Sequence, residues 1–534
     1  MMKTADLIIT NAQVYTVDEA NPWAEAVAVR AGRIVFVGSA AEAVAWQGAD
    51  TRVIDGQGGS LLPGFIDSHL HLLSGSLGLA DIQLAGVGTL AALAEAVRVY
   101  GAANPQMAWL QGSGLRYGVL PDDGARLVLD GMEGERPLVL TAYDGHTAWL
   151  NTVALERAGM LQGVADPTVG VLMGADGLAT GELREAEAGV LLEAAMPKPD
   201  DYDKRAALRQ GLAYLASLGV TSVHNMDGDA AQAGLYAALE DAGELTLRVY
   251  VPYSIRPETP LAALATEAVA LREQFNSEMV RGGCVKFFMD GVLESYTAVM
   301  LQGYPDQPDN FGEPIYPTEH FAAMVAEADR LGLQIFTHAC GDGAVRRVLD
   351  GYEWAQGVNG RRRDRRHRVE HIELIDMADL PRFAELGVIA SVQPLHAPNV
   401  GDEDVWRERV TEADWDRSFA WRTLREAGAI MAFGSDWSVA SPDPMAGIHA
   451  ALTRQPWGEG YVAQAQTLAE TIASYTRDGA YAEFQEEVKG QIRVGMYADL
   501  VLLTADIFVT DPEEMLGVRV AVTVCNGRVV YERR

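Results

Sequence analysis

Six side chains between positions 69 and 436 have the chemistry of a metal site: His69, His71, Lys286, His338, His371 and Asp436. The first two lie in "FIDSHLHLL", one residue apart in an otherwise apolar run. Side chains of a strand alternate between its faces, so both imidazoles point the same way. A lone buried histidine is more often a hydrogen-bonded core residue than a ligand. Here the remaining members sit on separate strand-like runs, in a chain with only 10 histidines. That convergence reverses the expectation. Neutral imidazole and carboxylate suit Zn²⁺ first, and Mn²⁺, Fe²⁺ or Co²⁺ can occupy such sites.

The elements that must position these residues are short apolar runs: "GFIDSHLHL", "VTSVHNM", "LRVYVPY", "CVKFFMDG", "LQIFTHA", "HRVEHIEL", "VIASVQP" and "IMAFGSDW". Between several of them lie helical stretches such as "TEHFAAMVAEADRLG" and "RQGLAYLASLG", each closing on Gly. Eight strands alternating with helices predict an α/β fold, a (β/α)₈ barrel of the TIM type. Such a barrel does its chemistry at the strand C-terminal ends. His69 and His71 fall on the first strand, Lys286 on the fourth, His338 on the fifth, His371 on the sixth and Asp436 on the eighth.

Residues 74–205 are too many for a βα loop, so we expect an insertion with its own structure over the barrel mouth. Within it, "RPLVLTAYDGHTAWLNTVALERAG" reads as a strand, a turn and a helix. Both chain ends are rich in Val and Ile and broken by Gly, Asn and Asp turns, as in "ADLIITNAQVYTVD" and "VAVTVCNGRVVYERR". They read as antiparallel strands, with a hairpin turn at 526–528, and predict one small β-sandwich built from both termini. The expected boundaries are 1–62 and 485–534 for the sandwich and 63–484 for the barrel with its insertion.

A length of 534 residues favours one large domain plus a smaller one. The net charge of −32 argues against a nucleic-acid or anionic-membrane partner. The basic run "RRRDRRHR" at 361–368 is the local exception, and we read it as a solvated loop. Three scattered cysteines give no disulfide framework, and the N-terminus lacks a signal-peptide core, so a cytoplasmic protein is expected. No apolar stretch approaches the length that crosses a bilayer.

Taken in order, "PGFIDSHLHL", "VKFFMDG", "THACGDGA", "HRVEHIEL", "SVQPLHA" and "FGSDWSV" resemble the metal-dependent amidohydrolase superfamily. "DGHTAWLN", "TGELREA" and "GQIRVGMYADLVLL" are similar to its large-insertion branch, which includes N-substituted formamide deformylase. The resemblance implies one or two divalent ions: His69, His71 and Asp436 on one, His338 and His371 on a second. Lys286 would bridge them as a carbamate formed with CO₂; the alternative is an ammonium paired with Asp290 or another carboxylate. It also implies hydrolysis of an amide-type C–N bond in a small molecule by a metal-bound hydroxide. Asp436 would act as general base and then general acid. Family members are often dimers, so a homodimer is an expected assembly.

Two other readings stand beside this one. A mononuclear deaminase places a Glu three residues beyond the fifth-strand histidine, where this chain has Gly341. A catalytically silent scaffold loses ligands that this chain keeps. Weaker expectations attach to His396 and His146 as substrate-binding residues. Asp342 is read as ordering a turn, and His224 as supporting a ligand from behind. His146 is alternatively a support for Thr147, read as a helix N-cap. Trp437, Phe288, Tyr296 and Trp149 are candidates for an apolar pocket wall.

Overall fold

The computed structural model describes residues 4–121, 123–143, 147–166, 169–360, 364–398 and 405–534. The eight apolar runs all become strands of one sheet. They are β1 (Phe65–Leu70), β2 (Val220–Asn225), β3 (Arg248–Ser254), β4 (Val280–Phe288), β5 (Gln334–Ala339), β6 (Arg368–His371), β7 (Ile389–Val392) and β8 (Ile430–Phe433). They pair in chain order and every pair is parallel. Such strands are covered on both faces, which is why they read as near-continuous apolar runs.

Alternation then sorts the side chains. Val285, Phe287, Ile335, Val369, Ala390 and Met431 join the outer core, while Met226, Tyr250, Cys284 and Phe336 pack together in a separate cluster. Helices Thr318–Arg330 and Asp342–Asn359 pack on one another and on β5.

The sheet is an almost closed barrel, joined just beyond β8. Leu70 and Trp437 bridge in parallel. The Asp436 N–H donates to the His69 carbonyl at 2.6 Å, and the His71 N–H donates to the Trp437 carbonyl at 2.7 Å. Gly434 permits this approach, since a Cβ there would stand 2.5 Å from the His69 nitrogen.

Four strands from the N-terminal end form a second sheet in the order Arg33–Gly38, Ala26–Arg30, Leu7–Thr10, Arg52–Asp55. A six-stranded sheet draws on both ends, because Ser60–Pro63 pairs antiparallel with Leu500–Leu503. Two pairings depart from the antiparallel expectation: Leu7–Thr10 with Arg52–Asp55, and Gln13–Tyr15 with Ser60–Pro63, are parallel. The hairpin at 526–528 forms, with Asn526 and Gly527 both at positive φ.

The chain divides into two compact units, the first comprising Met1–Leu72, Leu212–Trp437 and Ser441–Arg534, the second Leu73–Gly211 with Ser438–Ala440. The second unit has a six-stranded sheet of its own. Its segment 136–159 gives two strands, Leu138–Ala142 and Thr147–Leu150, before helix Thr152–Arg157. The N-cap is Asn151, whose side chain accepts from the Ala154 N–H, so Thr147 is a strand residue rather than a cap.

The basic run is not a solvated loop. Residues 361–363 lie outside the described residues, but Arg365, Arg366 and Arg368 are buried. Arg365 pairs with Asp329 at 2.6 Å and Arg366 with Glu486 at 2.8 Å. Among the described residues no helix is long and apolar enough to cross a membrane.

Candidate metal centre

His69 and His71 leave β1 toward one carboxylate oxygen. Their Nε2 atoms stand 3.4 and 3.3 Å from Asp436 Oδ1. That oxygen is buried and has no well-formed hydrogen bond. His371, at the end of β6, places its ring centroid 4.7 Å from that of His69 and 4.4 Å from that of His338. His396 stacks on His371 at 5.8 Å and brings Nε2 to 3.8 Å from Asp436 Oδ2. The Lys286 ammonium is buried without a hydrogen-bond partner, 4.1 Å from the Phe288 ring centroid.

Four imidazoles have one nitrogen engaged by the protein. His69 Nδ1 meets Glu370 at 2.7 Å and His71 Nδ1 meets Asp227 at 3.1 Å. His371 Nδ1 meets the Gln393 side-chain oxygen at 2.9 Å, and His338 Nε2 meets the Gly291 carbonyl at 3.0 Å. An acceptor on one ring nitrogen fixes the tautomer and leaves the other lone pair for an ion. These donors therefore fit divalent metal. Among the described residues three groups bring ligand atoms within 4.8 Å of one another: His69, His71 and Asp436; His371, His396 and Asp436; and Asp290, His338 and Cys340. His338 and His371 are ring neighbours, yet the tight groupings divide them.

Backbone strain aims two of these side chains. His371, Ile372 and Asp436 have φ of +74°, +54° and +59°. Such residues cost about 1–3 kcal/mol each and persist only where surrounding bonds hold them. Here the Ile372 N–H donates to the Ala339 carbonyl at 3.1 Å, and the Asp436 N–H to that of His69.

Electrostatics follow from burial and charge. Burial opposes ionisation of Asp436, but His69, His71 and His371 outweigh it and hold the carboxyl well below its usual range. Burial pushes Lys286 down to about 8, against the pull of Glu370 and Asp436. Burial, with Lys286 beside it, pushes His338 down to about 3.

The remaining expectations resolve individually. His146 lies outside the described residues. Asp290 is not the partner of Lys286; it accepts the N–H groups of Val299, Cys340 and Gly341. Asp342 ties loops, accepting from the Leu301 N–H and from Arg417. His224 touches no candidate ligand and instead meets Arg368 and Glu483. Trp437 is buried at the barrel seam against Tyr214. Phe288 lies 5.2 Å from the His338 ring, Tyr296 packs on Tyr304, and Trp149 is buried against Tyr117 in the second unit. A Cβ on Gly341 would meet the Val299 carbonyl at 2.1 Å, so that position has no room for a deaminase glutamate. Glu370, Asp227 and Gln393 were not foreseen, although a glutamate inside the apolar run "HRVEHIEL" is a readable signal.

Barrel and site together define a metal-dependent hydrolase class. The amidohydrolase family model matches residues 52–531. The chain belongs to that family and is a carbon–nitrogen hydrolase. It is 30% identical to Protein LONG AFTER FAR-RED 3 of Arabidopsis thaliana, over 99% of this chain and 92% of that one. It is 26% identical to the N-substituted formamide deformylase of Arthrobacter pascens, over 100% of this chain and 99% of that one. In fold it is similar to an uncharacterized metal-dependent hydrolase from Pyrococcus horikoshii, with a TM-score of 0.75, 23% identity, and coverage of 95% of this chain and 99% of that one.

Proposed function

We propose that the chain hydrolyses an amide-type C–N bond of a small molecule, an N-substituted formamide or N-acyl compound, at a centre made by His69, His71, Lys286, His338, His371 and Asp436. The observation that carries this reading is the meeting of two imidazole Nε2 atoms on one buried, unbonded carboxylate oxygen. When bound, divalent ions, Zn²⁺ first among them, lower the pKa of a coordinated water and polarise a carbonyl oxygen. Asp436, whose carboxyl lies well below the usual carboxylate range, takes the proton of the attacking water and hands it to the leaving amine. His396 offers Nε2, which lacks a hydrogen-bond partner, to the substrate carbonyl. The Lys286 ammonium has no hydrogen-bond partner, which favours the carbamate, an anion that would suit neighbouring cations where an ammonium would repel them.

The three cysteines are buried and free, which suits a cytoplasmic location. We further read the two terminal sheets as a β-sandwich and residues 74–205 as an insertion with its own structure, a reading supported by the separate compact unit Leu73–Gly211.

Elemental analysis and turnover of N-substituted formamides, N-acyl amines, acyl amino acids and cyclic amides test the reading together. We expect transition metal in the purified protein and hydrolysis of at least one member. Protein that holds no metal, even after reconstitution, refutes it. Lys286→Ala should cost metal and turnover; full metal content in that variant refutes the bridging role.

A further inference from the structure

We infer that Glu370 is the positioning residue for the His69 imidazole, and that a buried chain of hydrogen-bonded polar side chains holds it in that role. The inference rests on the metal-centre reading above. Glu370 is fully buried on β6, and its Oε2 stands 2.7 Å from His69 Nδ1. Both of its oxygens are gripped by Arg368, Nε to Oε1 and Nη2 to Oε2, each at 2.9 Å.

Arg368, also fully buried, spends its other donors on Ser391 Oγ at 2.8 Å, on the Ser68 carbonyl and on His224 Nδ1 at 2.6 Å. Since the guanidinium can only donate, His224 Nδ1 accepts, and its Nε2–H faces Glu483 at 3.1 Å. Glu483 in turn pairs with Lys489. The order His69, Glu370, Arg368, His224, Glu483, Lys489 is unbroken.

A buried ion pair alone contributes little net stability, because desolvating two charges offsets their attraction. A reason to keep this one is what Glu370 does beyond Arg368. As an acceptor on Nδ1 it keeps the proton there and directs the Nε2 lone pair toward Asp436. The Arg368 fork fixes the carboxylate plane and disfavours its taking that proton itself. His71 has a looser counterpart: Asp227 is 38% exposed in its side chain and meets Nδ1 at 3.1 Å. His69 and His71 are therefore held unequally, His69 the more tightly.

The test uses Co²⁺ as probe, titrated into metal-stripped full-length protein against a competing chelator, with the visible Co²⁺ spectrum as second readout. Glu370→Gln should bind Co²⁺ about 10–100-fold more weakly than wild type, with an altered spectrum. Asp227→Asn should lose less. Wild type binding no Co²⁺ overturns the metal-centre reading. Wild type binding while Glu370→Gln matches it in affinity and spectrum overturns this inference alone, and an equal or larger loss in Asp227→Asn overturns the inequality. Zn²⁺-loaded wild type labelled with [¹⁵N]histidine should show a low-field imidazole N–H resonance from His69. Its absence overturns the inference without recourse to any variant.

Discussion

Asp436 has three tasks in one residue. Its backbone N–H closes the barrel against His69, its φ of +59° turns the side chain inward, and its carboxylate meets two imidazoles. Only the last concerns a proton. Asp436→Asn keeps the backbone and the size of the side chain but removes the carboxylate proposed as the base. We expect kcat to fall about 10²–10⁴-fold, the usual worth of general acid–base help, while much of the metal stays. Steady-state kinetics with metal analysis on the same sample checks this, and retained turnover removes Asp436 from its role. At this scale the ligand-type residues were legible because imidazoles and a carboxylate in apolar strands conflict with burial. Their supports were less legible. Asp227 falls just past one apolar run and Gln393 at the end of another, where polar residues are ordinary, and only folding brings them to His71 and His371.

Among the elements, the seam between β8 and β1 carries the most information. Gly434 sits in it because a Cβ would stand 2.5 Å from the His69 nitrogen and 2.7 Å from its Cβ. Gly434→Ala should push the strands apart, cost about 1–3 kcal/mol as overpacking does, and weaken metal binding through displaced His69. A melting temperature and a chelator titration on this variant measure both effects. A wild-type result in both would mean that the seam has slack. All eight barrel strands were legible, since a strand covered on both faces is apolar almost throughout. The basic run misled because charge usually marks solvent. Arg365 and Arg368 instead lie buried against Asp329 and Glu370, carboxylates that the sequence places anywhere from two to some forty residues away.

At the scale of the whole molecule, we expect the buried polar chain through His224 to make stability depend on pH. Burial, helped by Arg368 and Lys489 and opposed by Glu483, pushes His224 down to about 4 from 6.5. The unfolded imidazole takes up a proton in that window and the folded one does not. His224 therefore contributes its full stability above pH 6.5 and loses it as pH falls toward 4, at roughly 1.4 kcal/mol per pH unit. Denaturant titrations of metal-saturated protein between pH 8 and 5 should show this slope, reduced in His224→Gln; an unchanged slope in the variant would show that other groups set it. The scaffold around that polar chain was legible in outline, with strands from both ends meeting in one sheet. The parallel pairings within those sheets were not, because alternation specifies a buried face but not the direction of a neighbour.

The seam also sets a timetable. His69 and His71 emerge from the ribosome long before Asp436, and at about 5–20 residues per second the gap lasts on the order of tens of seconds. Through that interval the nascent chain carries two imidazoles whose carboxylate has not been made. If the centre takes metal as proposed, one stitched across the first and last strands is completed late in biosynthesis, and premature termination before Asp436 leaves His69 and His71 without their carboxylate.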